Sequence, residues 1–202
     1  MRQTDCIVTI GRSCGSGGRT IGRMVAEKLH IPYYDSELLE EAARASGLSQ
    51  KYLESIDEKP TRSAALYRSV GFGTAAYPGL EQVARKAQRE IIETIAERGP
   101  CVIVGRRADQ ILKENHELIR IFITASKGSR IAHIVERESM SERDARRRVS
   151  KVDRERASYY HQYSDQKWGY AETYDSCFNT DVLGKENVAD AIVELVLAKD
   201  NS

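Results

Sequence analysis

Apolar positions along this chain follow two periods in alternation. Residues 6–11 (Cys6-Ile7-Val8-Thr9-Ile10-Gly11) form a β-branched run that predicts a strand. The segment 18–30, with Ile21, Met24, Val25, Ala26 and Leu29 at helical spacing, predicts a helix. Ile31 to Asp35 reads as a short strand, with helices over 36–46 and 49–58. Residues 59–79 carry Gly, Pro, Ser and Tyr without a period and read as a loop or a glycine-broken helix. Leu80, Val83, Ala84, Ala87, Ile91 and Ile95 mark an amphipathic helix stopped by Gly99-Pro100. Continuous apolar runs at 101–105 and 118–124 predict strands buried on both faces. A charged stretch over 127–163 reads as helical, residues 177–180 as a last strand, and Val188, Ile192, Val193, Leu195 and Val196 as a closing helix. Strands separated by helices predict βαβ units, an open parallel sheet and an α/β fold in one domain.

The chain has 202 residues, 41% hydrophobic and 30% charged, enough for one full core. Its 31 basic and 30 acidic residues nearly cancel, so affinity for an anion must come from local clustering. Cys6, Cys14, Cys101 and Cys177 are too scattered for a zinc site or a disulfide framework, and core filling is the plain role of the three beside apolar runs. Cys14 lies in a glycine-rich segment before a helix, where a thiol can be acidified, so it is a candidate redox site. With no apolar leader and no stretch long enough to span a bilayer, the expectation is a cytoplasmic protein with no membrane partner.

Gly11 to Thr20 (Gly-Arg-Ser-Cys-Gly-Ser-Gly-Gly-Arg-Thr) joins the first strand to the first helix. Strand, glycine turn and helix make the layout of a P-loop, whose backbone N–H groups and helix N-terminus attract phosphate. Gly15, Ser16, Gly17, Gly18, Arg19 and Thr20 are therefore the expected triphosphate cradle, with ATP as donor and Thr20 reaching magnesium. The usual Gly-Lys-[Ser/Thr] ending reads Gly18-Arg19-Thr20. Either Arg19 replaces the lysine, or the register places Gly18 there and another basic residue substitutes.

Three further groups carry candidate chemistry. Asp35 and Ser36 follow the second strand, where a carboxylate could hold a magnesium-bound water or an acceptor, or simply cap a helix. Arg106 and Arg107 follow the third strand and suit an anionic acceptor. The stretch from Arg143 to Arg156 interleaves arginines with acids, which disfavours nucleic acid and fits a salt-bridged surface or a lid over 127–168. As a lid it would bring Arg147, Arg148 and Arg154 over a transferring phosphoryl group. The tyrosines and Trp168 that follow could stack on a base or pack the lid onto the body. The 80–98 helix could bury its apolar face internally or in a homodimer.

These residues resemble the cytidylate kinase-like group of P-loop nucleoside monophosphate kinases over most of the chain. The resemblance rests on Val8 to Arg19, Tyr34-Asp35-Ser36, Gly105-Arg106, Asp153-Arg154-Glu155-Arg156-Ala157 and Asn179-Thr180-Asp181. It implies a P-loop three-layer α/β/α fold with a helical lid, and magnesium-dependent transfer from ATP to a nucleoside monophosphate, CMP or dCMP first. It further implies that Asp153 and Arg156 contact the acceptor and that Arg106 holds its phosphate. In that comparison the P-loop lysine falls on Gly18, and the Asp of a Gly-Arg-Asp motif falls on Arg107. Alternatives are a nucleotide sensor without catalysis, or a kinase of another small molecule whose acceptor is chosen by the 59–79 segment.

Overall fold

A computed structural model describes residues 4–35, 78–162 and 164–201. The helices expected at 36–46 and 49–58, Ser36 and all but the last two residues of the 59–79 segment lie outside the described residues. The chain divides into two compact units, Met1–Asp35 with Arg98–Ser202, and Ser36–Glu97. The first holds the sheet and every described site residue.

Strand β1 (Ile7–Arg12) leads through the glycine loop to helix α1 (Gly18–Leu29), and β2 (Tyr33–Tyr34) follows. Helix α2 (Pro78–Glu97) belongs to the second unit; its Ala87, Ile91, Ile92 and Ile95 are buried. Then come β3 (Cys101–Val104), a single turn α3 (Ala108–Ile111), β4 (Leu118–Thr124), α4 (Lys127–Glu138), α5 (Glu142–His161), β5 (Ser176–Asn179) and α6 (Thr180–Lys199). All strands pair in parallel in the order β2-β3-β1-β4-β5.

One face of the sheet packs Val8, Ile10, Val102, Val104, Ile119, Ile121 and Ile123 against Ile21 and Val25 of α1 and Val188, Ile192 and Val196 of α6. Each such side chain contributes about 1.5–3 kcal/mol on burial. This core fixes the strand carboxyl ends, and with them the loops that leave β1 and β3. The register pairs Ile10 with Val104 and Ile121, so Arg12 and Gly105 emerge at the same edge.

Two expectations need adjustment. The helical stretch over 127–163 is two helices, because Ser139 turns into the left-handed region and Ser141 caps a new start by accepting from the Asp144 N–H. Cys177 is exposed rather than core, because it lies on the edge strand β5.

Candidate active site

The glycine loop is pinned from three sides. The Ser13 N–H donates to the Ile123 carbonyl at 2.9 Å, and the Ser16 hydroxyl lies 2.9 Å from the Ser13 carbonyl and 3.1 Å from that of Ile123. The Cys14 N–H donates to Asp153 Oδ1 at 2.7 Å. Asp153 also pairs with Arg130, whose guanidinium reaches the Cys14 carbonyl at 3.3 Å. Thus Asp153 stands under the loop, as an anchor of its backbone. The Cys14 side chain packs with Ile131, Ile134, Ala145 and Val149, and burial pushes its thiol up rather than down. A raised thiol pKa lowers its reactivity as a redox site.

Gly17 caps α1 with φ 83°, and no side chain caps the helix there. The first-turn N–H groups are thus left for an anion, as the phosphate reading requires. The stem of Lys185, from α6, lies across this turn: a Cβ on Gly17 would fall 2.8 Å from Lys185 Cε. Gly184, with φ 75° and ψ 164°, breaks α6 just before it. Thr180 adds a hydroxyl 3.3 Å from the Ser16 carbonyl.

Arg12 lies beside this turn, and the charges of three other arginines bear on it. Burial first, then the charges of Arg156, Arg19 and Arg106, push the Arg12 guanidinium down to about 9, so it remains protonated at neutral pH. Its Nε is buried without a hydrogen-bond partner, and no carboxylate pairs with Arg12 among the described residues. Arg156 of α5 donates to the Arg12 carbonyl at 3.0 Å, and burial followed by Arg19 and Arg137 outweighs the pull of Asp153 and lowers its pKa too. Arg19 is exposed on the first turn of α1. After β3, Gly105, Arg106 and Arg107 are all left-handed, with φ 83°, 57° and 54°. Two consecutive non-glycine residues in that region are strained, which is a feature of binding loops.

The other expected positions fall as follows. Arg107 sits over the Tyr159 ring at 4.9 Å, and Trp168 packs edge-on to Phe122 at 5.2 Å, so these aromatics are used in packing. Arg148 pairs with Glu138 at 2.6 Å, Arg147 lies 3.9 Å from Asp144, and Arg154 donates to the Ser150 carbonyl from an exposed position. Arg156 thus holds the Arg12 carbonyl, the charges of Arg19, Arg106 and Arg156 bear on Arg12, and Arg147, Arg148 and Arg154 are engaged along the α4–α5 pair. Asp35 is 4% exposed and accepts from the Tyr33 hydroxyl at 3.2 Å, while that hydroxyl is 3.4 Å from the Arg19 carbonyl. One buried carboxylate close to the first turn, with Thr20 exposed on it, fits a magnesium ion that keeps most of its waters.

The sequence model of the cytidylate kinase-like family matches residues 7–182. The chain belongs to this family. An uncharacterised protein from Eubacterium ventriosum is 28% identical, over 96% of this chain and 99% of that one, with a TM-score of 0.74. A Thermus thermophilus protein (18% identity, 97% and 98% covered, TM-score 0.63) and the shikimate kinase of Bacteroides thetaiotaomicron (17%, 95% and 98%, 0.51) share the fold. No curated protein matches the sequence.

This cytidylate kinase-like site contains residues that periodicity could not single out. Arg12, Arg130 and Lys185 each reach the loop from a different element. Arg12 closes β1, and its direction is set by glycines in two other segments. Lys185 follows Gly184, and only the break there turns it toward Gly17. No helix among the described residues is long and apolar enough to cross a membrane.

Proposed function

We propose that this protein transfers the terminal phosphoryl group of ATP to a nucleoside monophosphate, with CMP or dCMP the leading acceptors. The observation that carries this reading is the concentration of Arg12, Arg19, Arg106 and Arg156 at the uncapped start of α1, with Arg12 lacking any carboxylate partner among the described residues. Packed cations of one sign repel, and bound phosphates would relieve that repulsion.

In this reading Gly15 to Thr20 cradle the donor triphosphate. Arg106 and Arg156 hold the acceptor phosphate, and Asp153 keeps the loop in shape between them. Thr20, and Asp35 through water, would hold magnesium, which supplies positive charge to the outer phosphates. The acceptor oxygen forms the new bond to the γ-phosphorus, and ADP leaves with the electrons of the broken bond. A phosphate acceptor is already anionic, so positioning and charge do most of the work and no general base is required. Arg147, Arg148 and Arg154 contribute on closure of the α4–α5 pair.

A different small acceptor is the second reading, favoured by Arg107, which is stacked on Tyr159 where the resemblance would place an acid. The test is ATP consumption with magnesium against CMP, dCMP, UMP, AMP and GMP, with ATP binding measured in parallel. Turnover with a pyrimidine monophosphate supports the proposal. Binding without turnover on any of the five removes it in favour of another acceptor or a sensor.

A further inference from the structure

The loop glycine that turns into the helix is Gly17, so the next position, where the motif carries its lysine, is Gly18. Gly18 is not empty space. A Cβ placed on it would fall 2.6 Å from Arg12 Cβ and 3.0 Å from Arg12 Cγ. No side chain could start from residue 18 while residue 12 carries a Cβ. Further along the same arginine, a Cβ on Gly105 would collide with the guanidinium, 2.8 Å from its Cζ. Arg12 therefore runs from the first turn of α1 to the end of β3. It bridges the triphosphate cradle and the arm that carries Arg106.

We propose that Arg12 supplies, from strand β1, the cation that a lysine at position 18 would supply, and that Gly18 and Gly105 are the two openings that let it lie there. The inference rests on the phosphoryl-transfer reading and assigns the charge facing the transferring group. A side chain at 18 and a Cβ at 12 exclude each other, so a lysine at 18 requires glycine at 12, and the glycine at 18 reflects an exchange of position, with the charge retained. Two observations support a ligand there. The buried Arg12 Nε has no partner, and the charges of Arg156, Arg19 and Arg106 all act against the group, with only Tyr33 among the main influences acting in its favour. A guanidinium also offers planar, paired donors to phosphate oxygens, which a lysine does not. Arg19 is the alternative bearer, but it projects from an exposed position on the helix.

The test is an exchange. Binding of ATP and of inorganic triphosphate, without acceptor, is measured by calorimetry for the wild type, Arg12→Ala, Arg12→Lys and the double variant Arg12→Gly/Gly18→Lys, in which no Cβ at position 12 meets the new side chain, with thermal melting to confirm folding. Arg12→Ala should weaken both ligands about 10- to 100-fold, the range for losing a charged hydrogen bond. The double variant should recover about tenfold of that, and Arg12→Lys should fall between wild type and Arg12→Ala. Folded Arg12→Ala that binds triphosphate like the wild type overturns the inference and leaves the kinase reading intact. A folded double variant no better than Arg12→Ala also overturns it. A wild type that binds neither ligand overturns the phosphoryl-transfer reading and the inference with it.

Discussion

Asp153 accepts the Cys14 N–H at 2.7 Å, so a carboxylate on α5 fixes the tip of the glycine loop. The same carboxylate neutralises Arg130, whose side chain is 13% exposed. Asp153→Ala removes both and leaves a largely buried arginine unpaired, which should cost about 3 kcal/mol of stability. Asp153→Asn retains an acceptor for Cys14 and should cost less. Thermal melting ranks the two; equal losses would show that the loop hydrogen bond is immaterial.

Gly105 is left-handed and faces the Arg12 guanidinium. Gly105→Ala should therefore displace Arg12 and reduce ATP affinity as strongly as Arg12→Ala does. In an Arg12→Ala background the collision is gone, and only the left-handed penalty of about 1 kcal/mol remains. Melting curves of the four combinations give the coupling. Additive losses would mean the two residues do not share space in solution.

Asp109 is 6% exposed and accepts from the Tyr160 hydroxyl, with Gln110 3.4 Å away. Burial pushes its carboxyl up from 3.8 despite the two hydrogen bonds. The folded state then binds this proton more tightly than the unfolded state, so the contribution to stability declines as pH rises from the unfolded value through the folded one. Asp109→Asn keeps an acceptor for Tyr160 and removes the charge. Its melting temperature should exceed that of the wild type at neutral pH, and the gap should close as pH falls toward 3.8. A gap independent of pH would show that the charge is not the cause.

His133 is held below its ordinary value first by burial and then by the charges of Lys185 and Arg137. Lys185→Ala should raise the His133 pKa in an NMR titration. It should also weaken ATP binding several-fold at low salt, since its stem crosses the loop at Gly17. An unmoved His133 would place the Lys185 ammonium elsewhere.

The alternation of strand and helix was legible because β-branched runs such as Val102-Ile103-Val104 have no other stable home than a covered parallel sheet. The break after Glu138 was not, because Ser139-Met140-Ser141 separates two helices that are both rich in charge. The glycine loop could be read as a phosphate cradle from its residues. Which cation serves it could not, since the path of Arg12 depends on two absent Cβ atoms, one of them more than eighty residues away. The start of α6 was missed for a related reason. The apolar period begins at Val188, while the turn that precedes it is set by the Asn179 cap and the Gly184 kink.

Cys14 sits in the apolar seam between α4 and α5, with Ile131, Ile134, Ala145 and Val149. The loop and the helical hairpin are thereby two arms of one lever, joined at a greasy pivot rather than by a flexible tether. Thermodynamic reciprocity then applies to them: a ligand that stiffens the loop must slow amide exchange in the hairpin, and a contact that restrains the hairpin must tighten the ligand by the same factor.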